Sequence, residues 1–118
     1  MTTTKKDKAF VSYIVELMQG LGPVHAKSMF GGHGLFIDGL MFGLIADGVV
    51  FLKVDKENEP DFIDNGLDAF IYMKKDKAFK MSYYQAPEES LEDGEVMAVW
   101  ANKAYSAALR VAAKKPKK

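Results

Sequence analysis

Cysteine is absent from all 118 residues. That absence excludes disulfides, thiolate nucleophiles and zinc–thiolate centres together. Histidine is scarce: His25 and His33 are the only two. A zinc site needs three or four ligands of histidine, cysteine or carboxylate type, so this pair makes a weak metal site. No apolar run approaches the ~18 residues that cross a bilayer. The chain opens Thr2-Thr3-Thr4-Lys5-Lys6, with no apolar run before Phe10, so a secretion signal is not expected and the expected location is cytoplasmic. None of Ser12, Ser28, Ser82, Ser90 and Ser106 lies in a GxSxG frame. The carboxylate pairs Asp61/Asp64 and Glu88/Glu89 fall in segments expected to be solvated and read as surface charge. The sequence therefore implies no cofactor, no metal and no catalytic constellation.

What is present is a foldable single domain. Hydrophobic residues make up 48% and aromatics 12%, which excludes a disordered chain. The net charge is zero, but its distribution is uneven. Residues 1–8 hold Lys5, Lys6 and Lys8 against Asp7, and residues 110–118 hold Arg110, Lys114, Lys115, Lys117 and Lys118 with no acid. The body between, residues 9–109, keeps 8 basic and 15 acidic residues, a net of −7. An acidic body is a poor platform for phosphate backbones, so direct DNA binding is disfavoured. The basic ends read as solvated tails, with order expected over about 7–113 and a basic tail at 114–118.

Periodicity sets the elements. Phe10, Ile14, Leu17 and Met18 form one helical stripe within 7–19, and Gly20, Gly22 and Pro23 stop it. Thr4 and Asp7 approximate a capping box. Strands are expected over 24–30, 34–37, 40–46 and 49–54. Asp38-Gly39 and Asp47-Gly48 separate the last three, and Asp-Gly between apolar runs is a strong hairpin signal. A short helix is expected over 55–65, with Asp55 as N-cap and Pro60 in a first turn that starts at Glu59 if delayed. Two strands follow over 70–74 and 78–85, joined by Lys75-Asp76-Lys77. The last helix runs from about 93 to 113, its apolar face traced by Val96, Trp100, Lys103, Ala104, Ala107 and Val111, with Met97 and Ala108 beside it. The order α-β-β-β-β-α-β-β-α predicts an α+β domain, an antiparallel sheet flanked by helices.

The most unusual stretch is Met29-Phe30-Gly31-Gly32-His33-Gly34. Its glycines allow a tight turn or a close approach of backbone to something else. It lacks the P-loop frame and lies between strands, so a bulge or tight strand connection explains it better than a phosphate cradle. Met81-Ser82-Tyr83-Tyr84 puts Met81 and Tyr83 on one face of a strand and Ser82 and Tyr84 on the other. One tyrosine is expected in the core and one at a sheet surface or interface. Phe30, Gly31, Gly32, His33, Gly34, Tyr83 and Tyr84 together are the candidate interaction or ligand surface.

The run from Met29 to Phe36, then Met41-Phe42-Gly43-Leu44-Ile45-Ala46-Asp47-Gly48, then Phe51-Leu52-Lys53-Val54-Asp55, resembles the N-terminal domain of the TfoX/Sxy competence regulators. Phe70-Ile71-Tyr72, Met81-Ser82-Tyr83-Tyr84-Gln85-Ala86-Pro87 and the helix with Trp100-Ala101 continue the pattern in order, over about 8–112. His33 departs from it where an aromatic is frequent, and Gly94 where proline or an acid is. The resemblance implies an α+β fold, a role in competence and transcription, and a partner such as the cyclic-AMP receptor protein. It supplies no catalytic motif. It covers the first domain of regulators that have two.

Three functions follow as expectations. The first is a non-enzymatic regulatory or protein-interaction domain. The second is a small-ligand binder or enzyme using the turn at Gly31–Gly34 with His33 and a tyrosine. The third is nucleic-acid binding through the basic termini. Open sheet edges also make a homodimer compatible with the sequence.

Overall fold

In the computed structural model, which describes residues 5–29 and 32–114, six strands form one antiparallel sheet. They are β1 (His25–Met29), β2 (Gly32–Ile37), β3 (Leu40–Ala46), β4 (Val49–Lys53), β5 (Ala69–Lys74) and β6 (Lys77–Gln85). The spatial order is β1-β2-β3-β4-β6-β5, so the meander runs as four neighbours and the last hairpin joins it through β6. Helices α1 (Lys5–Leu17), α2 (Glu59–Asp64) and α3 (Gly94–Lys114) flank the sheet. This is the α+β order that the sequence implies.

Backbone chemistry explains the hairpins. Asp38 and Gly39 have φ of 51° and 78°, and Asp47 and Gly48 have 52° and 74°. Two consecutive positive φ values define the type I′ turn that matches strand twist. The third hairpin turn is shorter than expected: Lys77 belongs to β6, and Lys75 and Asp76 alone make the turn, at φ of 48° and 66°.

Other boundaries shift for local reasons. Helix α1 ends at Leu17, not at residue 19, and the chain continues in turns, with Leu21 N–H donating to the Met18 carbonyl. Asp55 does not cap α2. Its carboxylate accepts from the Glu57 and Asn58 N–H groups, and α2 starts at Glu59 with Pro60 in its first turn. A 3-10 turn, Glu88–Leu91, precedes α3 within the acidic run. The buried positions of α3 are Met97, Ala101, Ala104, Ala107 and Ala108, so the true stripe is rotated from the one through Val96 and Lys103. Alanines there let the helix approach the sheet closely. The Thr4 cap and the tail beyond Lys114 lie outside the described residues.

The main core lies between the helices and one sheet face. Leu35, Ile37, Ile45, Val50, Leu52 and Tyr84 from the strands, with Val54 just after β4, meet Ile14 and Met18 of α1, Phe62 of α2 and Met97, Ala101 and Ala104 of α3. Phe42 joins them because β3 has one extra residue: Leu35 pairs with Gly43 but Phe36 with Met41. That bulge turns Phe42 into the core and bends the sheet.

Candidate functional site

Pairing sorts the strand residues onto two faces, because Cα partners in a ladder share a face. The face away from the main core carries Gly34, Phe36, Met41, Leu44, Phe51 and Tyr83. Leu44 and Tyr83 are buried yet stand outside the main core cluster. Phe70 packs on Phe51 with ring centroids 4.9 Å apart, which places it on the same side. The sheet curls so that β1–β3 and β5–β6 wall a trough of about 290 Å³. Met29, Met41, Phe70, Tyr72 and Met81 line it, above Leu44 and Tyr83, with His33 at its rim. The last turns of α3, at Ala108, Val111 and Ala112, share a neighbouring cleft of about 260 Å³ with Phe36, Met41, Lys53 and Tyr83.

The glycines serve the packing. A Cβ on Gly32 would lie 2.2 Å from the Ile45 carbonyl oxygen. One on Gly34 would lie 2.5 Å from Met29 Sδ and 2.9 Å from Phe36 Cε1. Both residues sit inside β2, between β1 and β3, so their backbone is committed to sheet ladders and not to an anion nest. Gly34 lets Met29, Phe36 and Met41 close over it and shape one wall of the trough.

The sequence-derived surface is therefore only partly one place. Gly32, His33 and Tyr83 border the trough and Gly34 lies beside it, but His33 is the Cα partner of the core residue Ile45 and so belongs to the opposite face from Gly34 and Tyr83. Tyr84 does not belong to it. Its ring is in the main core, 6.0 Å from Phe62, and its hydroxyl donates to Glu59 Oε2 at 2.7 Å. Both tyrosines are buried, so the expected surface tyrosine is instead the floor of a trough. Phe30 and Gly31 lie outside the described residues. Burial pushes the Tyr83 phenol up. Lys53 Nζ sits 5.0 Å from its centroid, a cation–π contact. Among the described residues no cluster of three or more histidines and carboxylates is placed to hold a metal.

Sequence reading missed most of the lining. Met29, Met41, Leu44, Phe70 and Tyr72 come from three separate strands, β1, β3 and β5. The available signal was alternation: in β4, Phe51 and Lys53 point away from Val50 and Leu52. Read across all strands, that alternation exposes a second apolar face.

A curved antiparallel sheet with the helices gathered around its main core and an apolar trough on its other face defines an α+β domain. Residues 16–108 match the family model of the TfoX N-terminal domain, and the chain belongs to that family. It is also 34% identical over 68 residues to the DNA transformation protein TfoX1 of Aliivibrio fischeri. The match covers 58% of this chain and 32% of that protein, so the chain spans about a third of its curated relative. The family is one of competence regulators. No described helix is long and apolar enough to cross a membrane.

Proposed function

We propose that the chain is a non-enzymatic regulatory domain that works by binding a protein partner in the trough. The observation that carries this reading is the trough itself. Its buried floor, Leu44 and Tyr83, its exposed wall residue Met81, and Phe79 beside it on the same face, are apolar side chains that the main core does not use. Uncovered apolar patches on small domains mark interaction sites. Membership of the TfoX family supports a role in competence, and a transcription factor such as the cyclic-AMP receptor protein is a partner compatible with it.

Met81→Asp tests the reading against Met73→Asp. Met81 lines the trough; Met73 is 61% exposed and pairs with Ala78, outside it. With each variant replacing the wild type in its own cells, competence-gene transcripts should fall for Met81→Asp and hold for Met73→Asp. Equal transcripts in both would sink the trough as the working surface. A turnover by pure protein, abolished by one substitution, would sink the non-enzymatic part.

A second reading has one observation in its favour. The trough volume is near the lower end of the roughly 300–1,000 Å³ typical of small-molecule sites. A metabolite that protects His33 and Tyr83 resonances from broadening by a soluble spin probe would support a ligand-binding domain.

A further inference from the structure

The six strands contain no aspartate and no glutamate. Every carboxylate among the described residues sits on a helix, a turn or a connecting segment. The strands do contain Lys27, Lys53, Lys74, Lys77 and Lys80. Lys80 belongs to the helix side, with its Nζ 5.5 Å from the Tyr84 ring centroid and 3.9 Å from Glu59. The other four lie on the trough side. Lys27 is paired with Gly34 and sits over the Phe36 ring. Lys53 is paired with Tyr83 and sits over its ring. Lys74 and Lys77 pair with each other, two residues beyond the Tyr72–Phe79 pair. A body of net charge −7 thus presents one sheet face whose charged strand residues are all cations.

Resting on the reading of the trough as a protein-binding surface, we infer that its partner presents an acidic amphipathic segment. Apolar side chains of that segment fill the floor over Leu44 and Tyr83. Its carboxylates meet Lys27 on one wall and Lys74 and Lys77 on the other. A basic segment finds no carboxylate on these strands to pair with. A single-stranded nucleic acid fits the cations but not the floor. Tyr83 is only 9% exposed and already carries Lys53 over its ring, so it offers no open face for a base to stack on. The sole arginine, Arg110, is engaged by Asp55 and Glu57 and cannot serve a phosphate. Met29, Met41 and Met81 around the trough suit irregular apolar side chains, as methionine-rich grooves do. The acidic remainder of the body repels a long polyanion more than a short acidic helix.

The test uses three labelled probes with the whole chain, read by fluorescence anisotropy. One is a synthetic amphipathic helix of about four turns with leucine and phenylalanine on one face and glutamate on the other. The second replaces each glutamate with lysine. The third is oligothymidylate of about twenty nucleotides. The acidic peptide should bind best and weaken with salt. Lys27→Glu combined with Lys77→Glu, both exposed positions on opposite walls, should weaken it at least about tenfold. Lys56→Glu, on the helix side, should leave it unchanged. Equal binding of the basic peptide, preference for the oligonucleotide, or no binding of any probe would each overturn the inference. Failure here is separable from failure of the broader reading. If no peptide binds while Met81→Asp still lowers transcripts, only the partner's chemistry is wrong. If the acidic peptide binds while Met81→Asp changes no transcript, the regulatory reading falls and the chemistry of the face stands.

Discussion

The Arg110 guanidinium grips the Asp55 carboxylate with two nitrogens, Nε to Oδ2 at 2.5 Å and Nη2 to Oδ1 at 2.9 Å. The pair ties the end of α3 to the segment between β4 and α2, 55 residues away in sequence. The Arg110 hydrogen bond outweighs the opposing effect of burial and holds the Asp55 carboxyl at about 2, below its ordinary 3.8. A carboxyl lowered on folding stabilises the native state above its unfolded pKa, and that stability is lost as the pH falls through the folded value. The contribution should be complete above about pH 4 and gone near pH 2. Solvent beside the half-exposed guanidinium reduces its size, to about 1–2 kcal/mol. Urea melts of wild type and Arg110→Met across that window should show the difference between them shrinking as acid is added. A difference independent of pH would show that the arginine acts by packing alone.

Asn58 is 4% exposed and fully used. Its side-chain amide donates to the Lys53 and Lys103 carbonyls, each at 3.1 Å, and its Oδ1 accepts from the Asp55 N–H at 2.7 Å. One residue thus joins the end of β4, the start of the α2 segment and the middle of α3. Asn58→Ala strands three backbone groups and should cost about 2–4 kcal/mol. Asn58→Asp, nearly the same shape, keeps the acceptor but loses both donations and sets a carboxylate against two carbonyls. It should be at least as damaging at neutral pH and partly recover in acid, which chemical denaturation at two pH values would reveal.

The glycines divide into those that packing requires and those it does not. Gly32→Ala drives a Cβ into backbone at the Ile45 carbonyl, so it should destabilise by about 2–3 kcal/mol or block folding. Gly34→Ala meets the flexible end of Met29 and a ring edge of Phe36, and should cost less while reshaping the trough wall. Gly20→Ala meets nothing within 4 Å and should be neutral within about half a kcal/mol. Thermal melts of the three should rank in that order. A Gly32→Ala protein as stable as Gly20→Ala would mean that β2 and β3 are spaced more loosely there.

The fold was legible where signals are local. Asp38-Gly39 and Asp47-Gly48 fix two type I′ turns from two residues each, and the stripe around Ile14 and Met18 fixes α1. The trough was not legible, because its residues lie as far apart as Met29 and Tyr83 and meet only through sheet curvature. The bulge at Phe42 contributes to that curvature, and alternation alone does not foresee it. Alternation did separate Tyr83 from Tyr84. It could not say which faced α2, since that depends on β6 pairing with β4 so that Tyr84 falls opposite Leu52. The glycines of the Gly-Gly-His-Gly stretch suggest a tight turn or strand connection, whereas Gly32 and Gly34 in the fold are constrained positions within a strand.

The third hairpin carries the least suitable turn residues of the three. Lys75 and Asp76 both hold left-handed φ values, at 48° and 66°, where the other two turns place Asp-Gly. A non-glycine side chain in this region costs on the order of 1 kcal/mol, least for asparagine and aspartate. Lysine has no short polar side chain to offset that cost. Lys75→Asn with Asp76→Gly supplies the residues a type I′ turn favours and should stabilise the domain by about 0.5–1 kcal/mol. The gain should be read as slower amide exchange along β5 and β6 before it appears in global melts, because Ile71, Met73, Phe79 and Met81 leave this hairpin exposed on both sides. The variant also removes one lysine next to Lys74 and Lys77 without touching either. Unchanged exchange would mean that the hairpin is held by its junction with β4 and not by its turn.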